Sequence, residues 1–176
     1  MRVVVVVSVL LLTARVANAQ SPQGSGVSFA NEAVVNASIE DVWRVWSTSE
    51  GYKTLGVALA DVDLRVGGLI RSRYSPTGTL GDEHTIENEI LAYEPPRMLA
   101  IRIRKTPTGF PFKEAWKRSW TVVTLTPLDG GRTHVRAASL GYGTDEESVS
   151  MRQFFERNND QTLKTLASHF ERQRGK

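Results

Sequence analysis

The strongest constraint on the fold is a run of short alternating segments that is followed by one long amphipathic segment. Between residues 58 and 142, apolar and polar side chains alternate with period two, most clearly at residues 86–92. This period is typical of half-buried strands. Turn signals such as residues 75–78 and 128–131 separate the segments. Because connections this short join antiparallel neighbours, we predict about six consecutive antiparallel strands.

Helical periodicity precedes the run of strands. Ser38, with Asp41 three residues later, predicts a capped helix that follows an initial strand at residues 27–35. The apolar face of this helix has the spacing i, i+3, i+4, i+7 and consists of Ile39, Val42, Trp43 and Trp46.

Helical periodicity returns after the last strand. Thr144 and Glu147 predict a second capping box. The apolar stripe that follows covers roughly six helical turns and consists of Met151, Phe154, Phe155, Leu163, Leu166 and Phe170. A helix of this length can bury its stripe only against the concave side of the sheet. We therefore predict an α+β domain.

The N-terminal residues have the features of a secretory signal peptide. Arg2 precedes a ten-residue stretch from Val3 to Leu12 that is apolar except for Ser8, and Ala17-Asn18-Ala19 is a small-x-small cleavage pattern. We expect residues 1–19 to be removed near Ala19, which predicts an exported protein, periplasmic or secreted. Ten residues are too few for a membrane span, which needs about 20. The alternative is a buried N-terminal strand, because valine favours strands.

Residues 20–26 (QSPQGSG) have the composition of a flexible linker. We therefore predict one domain over residues 27–173. The chain has 22 Lys and Arg against 19 Asp and Glu, a formal net charge of +3. Loss of Arg2 and Arg15 with the signal peptide leaves a net charge of +1. Nucleic-acid binding needs a concentrated basic face, so the composition argues against it.

The composition also limits the chemistry. The chain has no cysteine, which excludes disulfides, thiolate nucleophiles and Cys-type zinc sites. The three histidines, His84, His134 and His169, fall in different predicted elements, whereas a metal site needs several converging ligands. We predict no metal site and no cofactor.

Polar residues interrupt faces of the predicted elements that are otherwise apolar. A buried polar group costs about 1–3 kcal/mol unless it is paired, so these residues either pair with each other or line a cavity. Small-molecule sites are mostly apolar with a few polar groups. The alternatives are a core with satisfied polar groups, or a register slip of one residue that exchanges the faces. The predicted cavity-lining residues are Trp46, Ser72, Tyr74, Asn88, Trp120, Ser139, Tyr142, Phe154, Phe155 and Asn158.

Two further patterns concern the surface. Arg71, Arg73, Arg102 and Arg104 alternate in two strands. We predict a surface ladder with Glu87 and Glu89, and the alternative is a single basic patch. The Pro/Gly loop after residue 105 contains the aromatic residues Phe110, Phe112 and Trp116. They could form a lid over the cavity or contact a membrane, and the alternative is that they pack back onto the domain.

Four segments stand in an order that is characteristic of a known family. They are residues 32–43 (EAVVNASIEDVW), 63–68 (DLRVGG), 89–99 (EILAYEPPRML) and 120–135 (WTVVTLTPLDGGRTHV). Together they resemble the START-like superfamily, and more narrowly the SRPBCC proteins related to the activator of heat-shock protein 90 ATPase. The resemblance implies a helix-grip fold, in which a curved antiparallel sheet of about seven strands wraps around a long C-terminal helix and encloses a cavity.

The resemblance leaves three functions open. The first is the binding of a small hydrophobic or amphipathic molecule between the sheet and the C-terminal helix. The second is an enzyme similar to the polyketide cyclases and dehydratases, which would need a titratable group in the cavity; Tyr74, Tyr142 and His84 are the candidates. The third is a protein-interaction module of the chaperone-activator type. We expect a monomer or a weak dimer.

Overall fold

The computed structural model describes residues 27–174, and the predicted signal peptide and linker lie outside this range. The strands are β1 (Val27–Val35), β2 (Leu59–Val62), β3 (Leu69–Arg73), β4 (Ile86–Glu94), β5 (Met98–Lys105), β6 (Trp120–Leu128) and β7 (Arg132–Tyr142). The helices are α1 (Ile39–Ser47), α2 (Ser49–Lys53) and α3 (Glu146–Arg174), and a short 3-10 helix spans Ala115–Arg118.

The seven strands form one antiparallel sheet in the order β1-β7-β6-β5-β4-β3-β2. The hairpins place β2 to β7 in sequence order, and β1 then joins at the far edge beside β7. The long helix α3 packs on β1 and β7 and buries Met151, Leu163, Leu166 and Phe170. These observations confirm the predicted α+β helix-grip fold. No helix within residues 27–174 is long and apolar enough to cross a membrane.

The start of α1 agrees with the prediction, whereas the start of α3 corrects it. The backbone N–H of Asp41 donates to Ser38 Oγ at 3.2 Å, so Ser38 caps α1. At α3, the N–H of Ser148 donates to Asp145 Oδ1 at 3.0 Å. The capping residue is therefore Asp145 and not Thr144, because the helix begins one residue later than the predicted capping box required.

The alternation after residue 58 predicts a longer strand than the structure contains. β2 ends at Val62, although alternation continues to residue 66. The chain turns here because the N–H of Arg65 donates to the Asp63 carbonyl at 2.9 Å and Gly67 has a φ of +76°. A left-handed backbone of this kind favours glycine, so the turn begins before the alternating pattern stops.

The predicted charge ladder lies on the outer face of the sheet. Arg71 Nε lies 3.7 Å from Glu87, and Arg102 Nη2 lies 2.9 Å from Glu89. Arg73 differs from the prediction because it is buried. Its guanidinium donates to the Thr77 carbonyl at 2.6 Å and pairs with Asp82. It therefore holds the β3–β4 loop and does not belong to the surface ladder.

Candidate functional site

A cavity of about 510 Å³ lies between the concave face of the sheet and α3. The strand register explains which side chains reach it. Ser72 pairs with Ile86, and Asn88 pairs with Ile70. Directly paired residues in antiparallel strands point to the same face of the sheet. Ser72, Ile86 and Asn88 therefore line one wall of the cavity, together with Ile101 from β5.

Nine of the ten predicted residues lie around this cavity. They are Trp46, Ser72, Tyr74, Asn88, Trp120, Tyr142, Phe154, Phe155 and Asn158. Trp46, Ser72 and Tyr142 are buried, and Asn158 is exposed on α3. For Ser72 and Asn88 the placement agrees with the inward faces that the alternation predicts, and a binding role for all nine residues stays a prediction.

Ser139 is the predicted residue that does not line the cavity. It points to the inner face of β7, as predicted, but its side chain is fully enclosed. Asn159 Nδ2 donates to Ser139 Oγ at 3.2 Å, and Thr121 Oγ1 lies 3.4 Å from the same oxygen. Ser139 therefore connects α3 to β7 and has no free surface toward the cavity.

Two of the predicted aromatic residues lie at the rim of the cavity and not deep inside it. Tyr74 is 71% exposed and Trp120 is 39% exposed. Tyr74 follows the last residue of β3, where the strand leaves the sheet. The ring of Trp120 lies against the backbone of Gly141. Both residues can contact a molecule that enters the cavity as well as solvent.

The sequence interpretation missed the contribution of α2 to the cavity. Tyr52 and Leu55 line the cavity from the α2 region, and the Tyr52 ring lies 6.4 Å from the Trp46 ring in an edge-to-face arrangement. The only signal in the sequence was the i, i+3 spacing of these two residues. Residues 106–111 also line the cavity.

Four phenylalanine rings close one side of the cavity. Phe110 and Phe112 come from the loop, and Phe154 and Phe155 come from α3. Their ring centroids lie 5.3–6.2 Å apart, mostly edge to face. Aromatic pairs prefer this arrangement. The loop aromatics therefore pack back onto α3, and in doing so they cover part of the cavity.

Two acidic residues near the start of α3 hold the segment that follows this loop. The backbone N–H groups of Lys113 and Glu114 both donate to Glu147 Oε1, the second at 3.1 Å. Arg118 pairs with Asp145. The N–H of Glu114, followed by that of Lys113, lowers the pKa of Glu147. The backbone N–H of Ser148, followed by its hydroxyl and by Arg118, lowers the pKa of Asp145.

The Glu147 contacts predict a loss of stability in acid. The pKa of Glu147 is lower in the folded than in the unfolded protein. The stability that Glu147 contributes is therefore complete above its ordinary pKa of 4.5 and is lost as the pH falls through its pKa in the folded protein. We expect Glu147→Gln to reduce the fall in melting temperature between about pH 5 and about pH 3. Thermal unfolding followed by circular dichroism measures this, with the exposed neighbour variant Glu146→Gln as control. Equal acid sensitivity of wild type and Glu147→Gln would contradict the assignment.

The lining of the cavity is almost uncharged at neutral pH. Burial raises the pKa of Tyr142 to about 12, and burial, followed by the proximity of Tyr74, raises the pKa of Tyr52 well above its usual value. Both tyrosines therefore remain protonated and can donate hydrogen bonds. Arg102 borders the cavity, but its side chain points to the outer face of the sheet, where the guanidinium pairs with Glu89. His84 does not belong to the lining.

The acidic and histidine side chains do not converge on a common point. His134 Nε2 lies 3.1 Å from Glu32, and His84 Nε2 lies 3.6 Å from Glu83. Within residues 27–174, no three His, Asp or Glu side chains are placed so that they could hold a metal ion. The described cavity lining offers hydrogen-bonding groups and apolar surface.

Solved structures show the same fold at low sequence identity. A Mesorhizobium loti protein is 20% identical, with a TM-score of 0.64, covering 83% of this chain and 98% of that chain. The Aha1 dimer of Colwellia psychrerythraea is 15% identical, with a TM-score of 0.60, covering 82% and 96%. An HSP90 activator from Plasmodium falciparum is 15% identical, with a TM-score of 0.50, covering 67% and 75%.

The family comparison agrees with the four segments that carried the resemblance. No curated protein matches the chain. The model of the family described as "Activator of Hsp90 ATPase homolog 1-like protein" matches residues 36–171, which span nearly all of the described elements. This match confirms the predicted SRPBCC and START-like relationship. The chain belongs to the Activator of Hsp90 ATPase homolog 1-like family.

Proposed function

We propose that this domain binds a small hydrophobic or amphipathic molecule in the cavity between the sheet and α3. The observation that carries the proposal is the cavity itself, which has about 510 Å³ and a lining of aromatic and aliphatic side chains with a few polar groups. Pockets for small molecules typically have about 300–1,000 Å³ and this kind of lining. A close-packed core would contain few voids larger than a water molecule.

The covering loop supports the proposal. Phe110 and Phe112 pack on Phe154 and Phe155, so the cavity is partly closed by aromatic contacts and not by chain connectivity. Such contacts can separate and re-form when a ligand enters. A cover held in this way shields an apolar ligand from water, and burial of apolar surface contributes about 25 cal/mol per Å².

The enzyme alternative finds less support in the cavity. A general base needs a pKa near the working pH, and the pKa of Tyr142 is about 12 because of burial. His84 does not line the cavity. Tyr142 can orient a ligand as a hydrogen-bond donor, but it cannot accept a proton at neutral pH.

Family membership favours one further candidate, a protein-interaction module of the chaperone-activator type. This role would use an outer surface of the domain, and it is compatible with an occupied cavity. Adding the domain to an ATPase assay of heat-shock protein 90 tests it, because an activator raises the ATPase rate and a domain that only binds small molecules leaves it unchanged.

Filling the cavity tests the ligand-binding proposal. Ala137 lies on the inner face of β7, is buried, and lines the cavity. We expect Ala137→Trp to weaken binding of the apolar fluorophore diphenylhexatriene at least about tenfold, because the indole occupies the ligand's space; tenfold corresponds to about 1.4 kcal/mol. A fluorescence titration measures the affinity.

The matched control places the same side chain outside the cavity. Ala30 is exposed on β1, and Ala30→Trp should leave the fluorophore affinity unchanged. Circular dichroism verifies that both variants are folded. A folded Ala137→Trp protein that binds the fluorophore as tightly as the wild type, or a wild type that binds none, would refute the proposal.

A further inference from the structure

Two polar side chains on the β3–β4 wall of the cavity have no side-chain hydrogen bond to another residue among residues 27–174. They are Ser72, which is 3% exposed, and Asn88, which is half-buried. Both line the cavity, and neither is among the buried polar atoms that are sealed away from accessible space. Solvent can reach both groups, but a ligand that displaces this solvent without replacing its hydrogen bonds leaves each group unpaired, which is unfavourable by about 1–3 kcal/mol. These two groups therefore favour a ligand that supplies the missing hydrogen bonds.

The strand register brings the two groups together. Ser72 pairs with Ile86 on β4, and Asn88 lies two residues further along the same strand. Diagonal neighbours on one face of an antiparallel pair lie about 7–8 Å apart at Cα and closer at Cβ. One oxygen-bearing group can contact both side chains at this separation. Each of the two can both donate and accept, so a hydroxyl, ketone or amide would satisfy them.

The charges around the cavity exclude an anionic head group. Among the described lining residues, Arg102 is the cation, but its side chain points to the outer face of the sheet, where its Nε and Nη2 donate to Glu89 Oε2 at 3.1 and 2.9 Å. A carboxylate brought into the cavity would lose its hydration without gaining a free counter-charge. Burying an unpaired charge is far less favourable than burying a neutral polar group.

The apolar wall comes from a different part of the fold. Phe154 and Phe155 belong to α3, which packs on β1 and β7, whereas Ser72 and Asn88 belong to β3 and β4. In the sheet order, β7 and β4 are separated by β6 and β5. The polar groups and the phenylalanines therefore face the cavity from separate walls, and a ligand with one polar end has one favourable orientation.

We infer that the cavity selects uncharged amphipathic molecules, whose oxygen-bearing head group binds Ser72 and Asn88 and whose apolar body lies against the phenylalanines. This inference rests on the proposed function and narrows the ligand to neutral alcohols, ketones or amides. Fatty-acid anions bind less well because the described lining offers their carboxylate no free cationic side chain. Ser72 and Asn88 determine specificity, and the aromatic wall supplies affinity.

The test compares two molecules that share a chain and differ in charge. 1-Decanol and decanoate are each used to displace diphenylhexatriene at neutral pH. We expect decanol to do so at a concentration at least about tenfold lower than decanoate. Decanoate should gain potency as acidification neutralises it. Ser72→Ala and Asn88→Leu should each weaken decanol binding about 3- to 10-fold, which corresponds to the loss of one neutral hydrogen bond.

The controls separate failure of this inference from failure of the proposed function. Ser168→Ala, at an exposed position of α3, should bind all three molecules like the wild type. If diphenylhexatriene does not bind, the proposed function fails. If diphenylhexatriene binds, three results would overturn only the selectivity for neutral molecules. Decanol and decanoate could compete equally, decanol could fail to compete, or Ser72→Ala and Asn88→Leu could bind decanol as tightly as the wild type.

Discussion

Replacing Gly141 by alanine should lower the free energy of unfolding by about 2–5 kcal/mol. Gly141 has a φ of +82°, and a left-handed backbone is unfavourable for alanine by about 1–2 kcal/mol. A Cβ at this position would also overlap the carbonyl oxygen of Arg118 and lie 2.7 Å from Cζ3 of Trp120. Overpacking of this kind adds about 1–3 kcal/mol. Urea unfolding measures the sum.

Gly130 provides the matched control, because it shares the backbone conformation without the crowding. Its φ is +75°, and an added Cβ would meet nothing within 4 Å. We expect Gly130→Ala to lower the free energy of unfolding by only about 1–2 kcal/mol. Equal effects of the two substitutions would show that the close approach of Arg118 and Trp120 to Gly141 is unimportant.

Leu166→Ala should lower the free energy of unfolding by about 2–5 kcal/mol. Leu166 is fully buried on α3 and belongs to the core cluster that also contains Val135 and Ile90. Alanine at this position leaves a cavity that the surrounding structure fills only partly by relaxing. Urea unfolding again measures the change.

The control for Leu166 lies on the solvent side of the same helix. The Lys164 side chain is 68% exposed and pairs with Asp160 one turn earlier. An exposed ion pair of this kind contributes at most about 1 kcal/mol, so Lys164→Ala should change the stability much less than Leu166→Ala. A loss below about 1 kcal/mol for Leu166→Ala would mean that α3 is not held by its apolar stripe.

Local patterns were sufficient to predict the frame of the cavity. Period-two alternation assigned Ser72 and Asn88 to the inner face because one residue in two must point inward along a strand. Helical spacing identified the buried face of α1, including Trp46. These features depend on neighbours within a few residues, and the structure agrees with them.

The side-chain positions that the sequence did not predict depend on contacts that local patterns do not show. Ser139 is satisfied by Asn159 on another element, and Arg73 is buried because Thr77 and Asp82 fold back over it. α2 has only five residues, too few to show a period, so the inward position of Tyr52 left almost no pattern. The positions of these side chains depend on tertiary packing, which the local alternation of apolar and polar residues does not reflect.

The pairing of β1 with β7 also dictates an order of assembly. Val35 pairs with Thr133, and Val27 pairs with Tyr142, so about one hundred residues separate the two strands along the chain. Among the strands of residues 27–174, β1 pairs only with β7. Because synthesis starts at the N-terminus, β1 therefore stays unpaired until β7 has been made. Non-local pairing of this kind slows folding, and the sheet is completed only when nearly the whole domain is available.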